Sequence, residues 1–163
     1  MVVLGLLLLT SLIYLIRHAL VLAGLLKGPI LRLFEKYGDE EPFYYPLPGM
    51  LVALSVFVLA LGILVAPYVR AFYLPAGPAL ILLILAWIAW DRREVARRHP
   101  EIFMVYPRWI NHLREYTTRE ERRRIAYMWL HLPWRTRLHY NSNDRAFLLW
   151  TDLLVLSTGE RNN

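Results

Sequence analysis

The chain has 163 residues, of which 57% are hydrophobic, a share above that of a typical soluble globular protein. It carries 19 basic and 13 acidic residues, for a formal net charge of +6, and 14 of the basic residues lie after residue 90. Cysteine is absent, which excludes disulfides, thiolate metal sites and cysteine nucleophiles.

Three apolar stretches predict membrane-spanning helices at about residues 2–26, 50–69 and 76–90. The first two have the roughly 20 residues that are needed to cross about 30 Å of hydrocarbon. The third is shorter, and we expect it to gain length at one or both ends. A cleaved signal peptide is disfavoured at the N-terminus, because no basic segment precedes the apolar run and Arg17-His18 interrupts it.

A polar stripe runs along the first span and consists of Thr10, Ser11, Tyr14, Arg17 and His18. At 100° per residue these five positions fall within an arc of about 120° on one helical face. Ionisable groups inside a span are costly and usually face protein or water. The stripe therefore predicts a protein-facing surface. In this interpretation Arg17 reaches the inner headgroups or pairs with a neighbouring subunit, and the hydroxyls form hydrogen bonds across a helix interface.

Two other functions for the stripe stay open. His18 could be an axial ligand of a haem or a chlorophyll-type pigment through a neutral imidazole nitrogen. The stripe could also line a proton or ion path, although residues 50–69 and 76–90 contain no charged residue that would complete such a path.

The distribution of lysine and arginine predicts the topology. The loop after the first span contains Lys27, Arg32 and Lys36, whereas the loop between the second and third spans contains only Arg70. Four further arginines follow the third span directly: Arg92, Arg93, Arg97 and Arg98. Because basic residues concentrate on the inner side of membranes, this asymmetry places the N-terminus outside and the C-terminal portion in the cytoplasm. We expect the four arginines to contact anionic lipid headgroups, at about 1 kcal/mol each.

Residues 1–90 are thus predicted to form a transmembrane domain, and residues 91–163 a basic helical cytoplasmic domain. Within the loop after the first span, an amphipathic helix at about 29–37 is expected to lie on the inner membrane surface. In the cytoplasmic domain we expect helices at about 107–116, 119–132 and 144–157. Thr118 and Glu121 match a capping box at the start of the second of these, and Asn143 is the expected N-cap of the third.

The last predicted helix is apolar on nearly all sides, which indicates burial on more than one side. We therefore predict that it contacts a partner subunit or the membrane through Phe147, Trp150, Leu153 and Leu154. The alternative is an ordinary core helix of a small three-helix domain.

The sequence contains no glycine-rich phosphate loop, nucleophile motif or zinc-binding histidine pair. Arginines interleaved with tryptophans and tyrosines also occur in nucleic-acid-binding proteins, but the adjacent spans favour a membrane surface as their partner. The sequence therefore predicts an all-α integral membrane protein of the cell membrane with three spans. Its predicted function is that of a non-catalytic accessory subunit of a larger membrane protein complex, without a cofactor, which packs against other subunits or itself. The alternatives are a pigment- or haem-binding electron-transfer or light-harvesting protein using His18, and a small oligomeric channel or transporter component.

Overall fold

A computed structural model describes residues 2–36, 44–69, 75–99 and 106–159, and within these ranges the chain is helical and contains no strand. In chain order the helices are α1 (Val2–Leu22), α2 (Gly28–Lys36), α3 (Leu47–Val69), α4 (Ala76–Asp91), α5 (Arg93–Arg98), α6 (Arg108–Tyr116), α7 (Arg119–His131), α8 (Trp134–Ser142) and α9 (Asp144–Gly159). Arg70 and Tyr37, which entered the predicted topology and the predicted amphipathic helix, lie outside the described residues.

The chain divides into two compact units, each made of two separate segments. Unit 1 comprises Met1–Ala19 and Tyr45–Met104, and unit 2 comprises Leu20–Tyr44 and Val105–Asn163. This division does not follow a boundary at residue 90. The loop between α1 and α3 belongs to the same unit as the C-terminal helices.

Two of the described helices are long and apolar enough to cross a membrane. These are α1, which belongs to unit 1 up to Ala19, and the Leu47–Ala66 portion of α3, whereas α4 is a shorter apolar helix of 16 residues. Most side chains of α1 and α3 are exposed or half-buried. The two helices therefore present a largely apolar surface that the described part of the chain does not cover. After α4 only Arg92 interrupts the helix before α5 begins, so helical structure continues past the C-terminal end of the third predicted span.

Helices α3 and α4 form a closely packed hairpin. The Ser55 hydroxyl donates a hydrogen bond to the Ala79 carbonyl at 2.9 Å, and both residues are buried. At Gly62 a Cβ atom would overlap the ring of Pro75, so only glycine fits there without a shift. Small residues thus bring the two helices together, as is usual for helix packing in membranes.

Unit 2 is built around the packing of α2 against α7. Helix α2 forms where the amphipathic helix was predicted, but its apolar residues Ile30, Leu31 and Phe34 are buried in a protein core. The expectation that this face lies on the membrane surface is therefore corrected. An amphipathic face requires only an apolar surface opposite it, and the C-terminal helices provide one.

The ends of the C-terminal helices follow local signals. The Thr118 hydroxyl accepts from the Glu121 N–H at 3.3 Å, and the Glu121 carboxylate accepts from the Thr118 N–H at 2.6 Å, which confirms the capping box. Asn143 Oδ1 accepts from the Ala146 N–H at 3.0 Å at the start of α9. Helix α8 lies between the helices predicted at 119–132 and 144–157 and was not predicted. Pro133 directly precedes its first turn.

Candidate functional site

The Thr10 and Ser11 hydroxyl groups of the polar stripe are satisfied within α1 itself. Thr10 Oγ1 donates to the Leu6 carbonyl at 2.8 Å, and Ser11 Oγ donates to the Leu7 carbonyl at 2.7 Å. Each hydroxyl oxygen can still accept a hydrogen bond from another group. Ser11 is buried, although it lies on a helix whose side chains are otherwise mostly exposed.

Tyr14 is the point at which α1 approaches α3. A Cβ atom at Gly49 would displace the Tyr14 hydroxyl, so the absence of a side chain at residue 49 lets the tyrosine lie against the α3 backbone. The Tyr14 ring also packs on the His18 ring, with centroids 4.3 Å apart and planes inclined by 50°. The stripe therefore faces protein at Tyr14, and the protein it faces is another helix of the same chain.

A groove of about 650 Å³ lies in unit 1 between α1 and the α3–α4 hairpin. Thr10, Ser11 and Tyr14 line it from α1, and its other walls are apolar residues of α3 and α4 together with Trp87 and Trp90. A concave, mostly apolar site of 300–1,000 Å³ with a few polar groups is typical of small-molecule binding sites. The groove is therefore the candidate binding site of unit 1.

Arg17 and His18 do not line this groove. Arg17 is exposed and His18 is half-buried beside Tyr14. Among the residues that the structure describes, no group of three or more histidine, aspartate or glutamate side chains could hold a metal ion. The structure thus divides the stripe into three groove residues and two residues outside it, and His18 as a cofactor ligand stays a prediction.

In unit 2 the aromatic side chains form one connected cluster around Phe147. The Phe147 ring meets Trp109 and Trp129 edge-on, with both centroid distances 5.4 Å, and Trp150 at 5.9 Å. Trp150 also stacks on Tyr140 at 5.6 Å. These contacts bind α9 to α6, α7 and α8, so α9 is a core helix on this side.

The predicted contact surface on α9 changes accordingly. Phe147 is completely buried, so its assignment to a partner or membrane contact is corrected. Trp150 and Leu154 are half-buried against the same core. Of the four predicted contact residues only Leu153 is exposed, because the helix presents its aromatic side to the core and its leucine side outward.

Three leucines form the exposed side of α9. Leu149, Leu153 and Leu156 are 57%, 67% and 66% exposed, and their i, i+4, i+7 spacing aligns them in one row, termed here the leucine row. At 100° per residue, Arg145 and Asp152 lie on the edge of this row. Leucines in such a row with charged residues at its rim have the arrangement of a small protein-docking face.

Sequence reasoning missed a buried lysine at the centre of unit 2. The Lys27 side chain is completely buried, and its ammonium group lies 2.6 Å from Asp144 Oδ1. It also donates to the carbonyls of Gly24 and Asn141, each at 3.2 Å, so all three of its donors have acceptors. The backbone N–H of Lys27 donates to Asn141 Oδ1 at 3.0 Å.

The Lys27 ammonium also faces two aromatic rings, 5.4 Å from the Phe147 centroid and 5.8 Å from the Trp109 centroid. Burying an unpaired ammonium costs several kcal/mol, so this set of partners is required for the lysine to be tolerated. The pair ties the loop after α1 to the start of α9, 117 residues further along the chain. No local signal predicts this ion pair, because the residues around Lys27 do not distinguish it from an ordinary basic residue of a loop.

The four arginines that follow α4 are all exposed, as their predicted contact with lipid headgroups requires. Arg92 Nε lies 4.0 Å from Asp91 Oδ2, and Arg98 Nε lies 3.7 Å from Glu94 Oε1. Exposed pairs of this kind contribute about 0–1 kcal/mol, so they do not prevent these arginines from contacting other anions.

The described residues thus offer two candidate surfaces, the groove of unit 1 and the leucine row of unit 2. The Lys27–Asp144 pair lies inside unit 2 and supports its fold. Comparison of the chain with protein-family models, curated proteins and solved structures finds no match.

Proposed function

We propose that the protein is a non-catalytic accessory subunit of a larger membrane protein assembly in the cell membrane. In this proposal α1, α3 and α4 cross the membrane, the N-terminus lies outside, and unit 2 lies in the cytoplasm. The observation that carries the proposal is the construction of unit 2 from chain segments on both sides of the α3–α4 hairpin.

This construction supports the crossing of α4, which by length alone is a weak candidate. The two segments of unit 2 share one core, so they must lie on the same side of the membrane. If α3 crosses, the chain has to return before residue 105, and α4 is the remaining apolar helix between Leu47 and residue 105 in the described part of the chain. At 1.5 Å per residue α4 is about 24 Å long, which is close to the hydrocarbon thickness.

The charge distribution supports the cytoplasmic side for unit 2. Lys27, Arg32 and Lys36 precede α3, and the four arginines of the α4–α5 segment follow the other end of the hairpin. Both groups lie on the unit 2 side of the proposed spans. The positive-inside rule therefore supports an inner location for this side.

The leucine row supports docking to another protein. Its three leucines are exposed although Phe147 and Thr151 of the same helix are buried, and exposed apolar patches with a polar rim usually mark contact sites. Asp152 and Arg145 at its edge favour a protein partner over the bilayer, because a carboxylate beside hydrocarbon or anionic headgroups is unfavourable. We propose that the occupant is an apolar helix face of a partner subunit or of a second copy of this chain.

The test is purification of the tagged protein from its native membrane in mild detergent. We expect one or more membrane proteins to co-purify in fixed ratio, or a self-assembled particle well above the 19.2 kDa of one chain. Leu153→Lys should release the partner. Leu138→Lys is the matched control, because Leu138 is an equally accessible leucine of unit 2 outside the leucine row.

Two outcomes would contradict the proposal. One is a stable monomer with folded unit 2 and no co-purifying protein. The other is partner loss that is the same for both lysine variants, since the leucine row would then have no special part in docking.

A further inference from the structure

The groove of unit 1 occupies one half of the hairpin. Its walls are formed by Pro48–Val56, at the start of α3, and by Leu83–Trp90, at the end of α4. The rise of the helix from Pro48 to Val56, which are eight positions apart, is about 12 Å. Half of a hydrocarbon core of about 30 Å is about 15 Å, so the groove has the depth of a single leaflet.

The volume of the groove favours a hydrocarbon chain over a helix segment as its occupant. A helix segment as long as the groove, about 12 Å, fills about 940 Å³ when it is taken as a cylinder about 10 Å across. The groove has about 650 Å³ and therefore holds about two thirds of such a segment. A flexible hydrocarbon chain fits this volume, and the apolar walls formed by residues such as Val52, Val56 and Leu83 are suited to it.

One end of the groove can recognise a polar group. The Tyr14 hydroxyl lies against Gly49, in the first turn of α3, and no other described residue forms a hydrogen bond with it. Trp90, near the end of α4, also lines the groove, and tryptophans prefer the boundary between hydrocarbon and headgroups. An ester carbonyl of a glycerolipid lies at the same boundary and can accept a hydrogen bond from Tyr14.

We propose that the groove is a binding site for one acyl chain of a membrane glycerolipid, whose ester carbonyl accepts a hydrogen bond from Tyr14. The lipid belongs to the leaflet in which α3 begins. This inference depends on the membrane insertion of unit 1, which is part of the proposed function, but not on the presence of a partner protein.

The experiment uses the full chain in phosphatidylcholine vesicles that contain a small fraction of phosphatidylcholine with a photoreactive diazirine in one acyl chain. After illumination, mass spectrometry of peptides maps the lipid adducts. We expect more adducts on the residues that line the groove than on exposed residues of α3 that do not line it, such as Leu61 and Ile63.

Two variants of α3 test the groove itself. Val52→Trp fills it and should remove most of the groove adducts. Leu54→Trp is the matched control, because Leu54 is a similarly exposed residue two positions along that does not line the groove. Equal labelling in both variants, or adducts spread evenly over all exposed residues, would overturn the proposal.

Tyr14→Phe tests the recognition of the carbonyl. Loss of an intramembrane hydrogen bond should lower the groove labelling about three- to tenfold. With a diether lipid that has no ester carbonyl, the variant should behave like the wild type. A decrease of the same size with the diether lipid would contradict the role of Tyr14 as a donor to the ester.

Alkaline extraction of the vesicles separates this inference from the proposed function. If the protein stays in the membrane and the labelling is uniform, the lipid site is wrong and membrane insertion stands. If the protein is extracted, membrane insertion itself is wrong. In native membranes, a cross-link from the groove to a second protein in place of lipid would also overturn the lipid as occupant.

Discussion

The Lys27–Asp144 pair gives a stability prediction in which the two partners behave differently. Lys27 is completely buried, whereas the Asp144 side chain is 52% exposed. Asp144→Ala removes the counter-ion and leaves a buried ammonium with two carbonyl acceptors, those of Gly24 and Asn141. A hydrogen bond to a charged group is worth about 1.5–3 kcal/mol, and we expect the free energy of unfolding of unit 2 to fall by that amount.

Removal of the lysine charge tests whether the unpaired buried ammonium causes this loss of stability. Lys27→Met keeps a long apolar side chain beside Phe147 and removes the charge. Breaking a buried pair from one side is costly because it leaves an uncompensated charge, and removing that charge relieves the cost. We therefore expect Lys27→Met to stabilise the Asp144→Ala background, with a coupling energy of about 1.5–3 kcal/mol in the double-mutant cycle.

The assay is thermal unfolding of the full chain in detergent, followed by tryptophan fluorescence, to which the buried Trp109 and Trp129 contribute. For a unit of this size, 1 kcal/mol corresponds to about 4–8 °C in Tm, so Asp144→Ala should lower Tm by about 6–24 °C. Asp152→Ala is the matched control, because Asp152 is a similarly exposed acid of α9 that lies 3.8 Å from the partly exposed His112, and its loss should change Tm by only a few degrees. Equal effects of the two alanine variants, or additive effects of Lys27→Met and Asp144→Ala, would refute the reasoning.

Three further predictions concern local features of the fold. Thr118→Ala removes the capping box and should lower the stability of unit 2 by about 1 kcal/mol, measured by the same unfolding assay. Gly62→Val should force α3 away from Pro75 at a cost of about 1–3 kcal/mol, and a lower thermal unfolding temperature of the chain in detergent would show it. Ser55→Ala loses the hydrogen bond to the Ala79 carbonyl and should cost about 1 kcal/mol in that measurement, whereas an unchanged transition would mean that the bond does not hold the hairpin.

The sequence predicted features that depend on neighbouring residues. The capping box at Thr118 and the N-cap at Asn143 are local hydrogen-bonding patterns, and both are confirmed. The all-helical fold and the apolar helices α1 and α3 follow from long runs of apolar residues. Helix α8 was missed because its polar and apolar residues show no clear helical period around Pro133.

Features that depend on distant residues could not be predicted in the same way. The apolar face of α2 was recognised, but its partner α7 begins more than 80 residues later, so the membrane surface was the simpler expectation. Lys27 finds its counter-ion 117 residues away. The spacing of the polar stripe predicts one helical face, whereas the division into groove residues and the outer pair Arg17 and His18 depends on the position of the α3–α4 hairpin.

The central claim is that both segments of unit 2 lie on one side of a membrane that α3 and α4 cross. Because the chain has no cysteine, single-cysteine variants can be labelled in intact cells with a membrane-impermeant maleimide. Gly77→Cys, at the start of α4 where a side chain meets open space, should be labelled from outside. Ser142→Cys in unit 2 should be labelled only after the membrane is opened. Labelling of both positions from the same side would contradict the account.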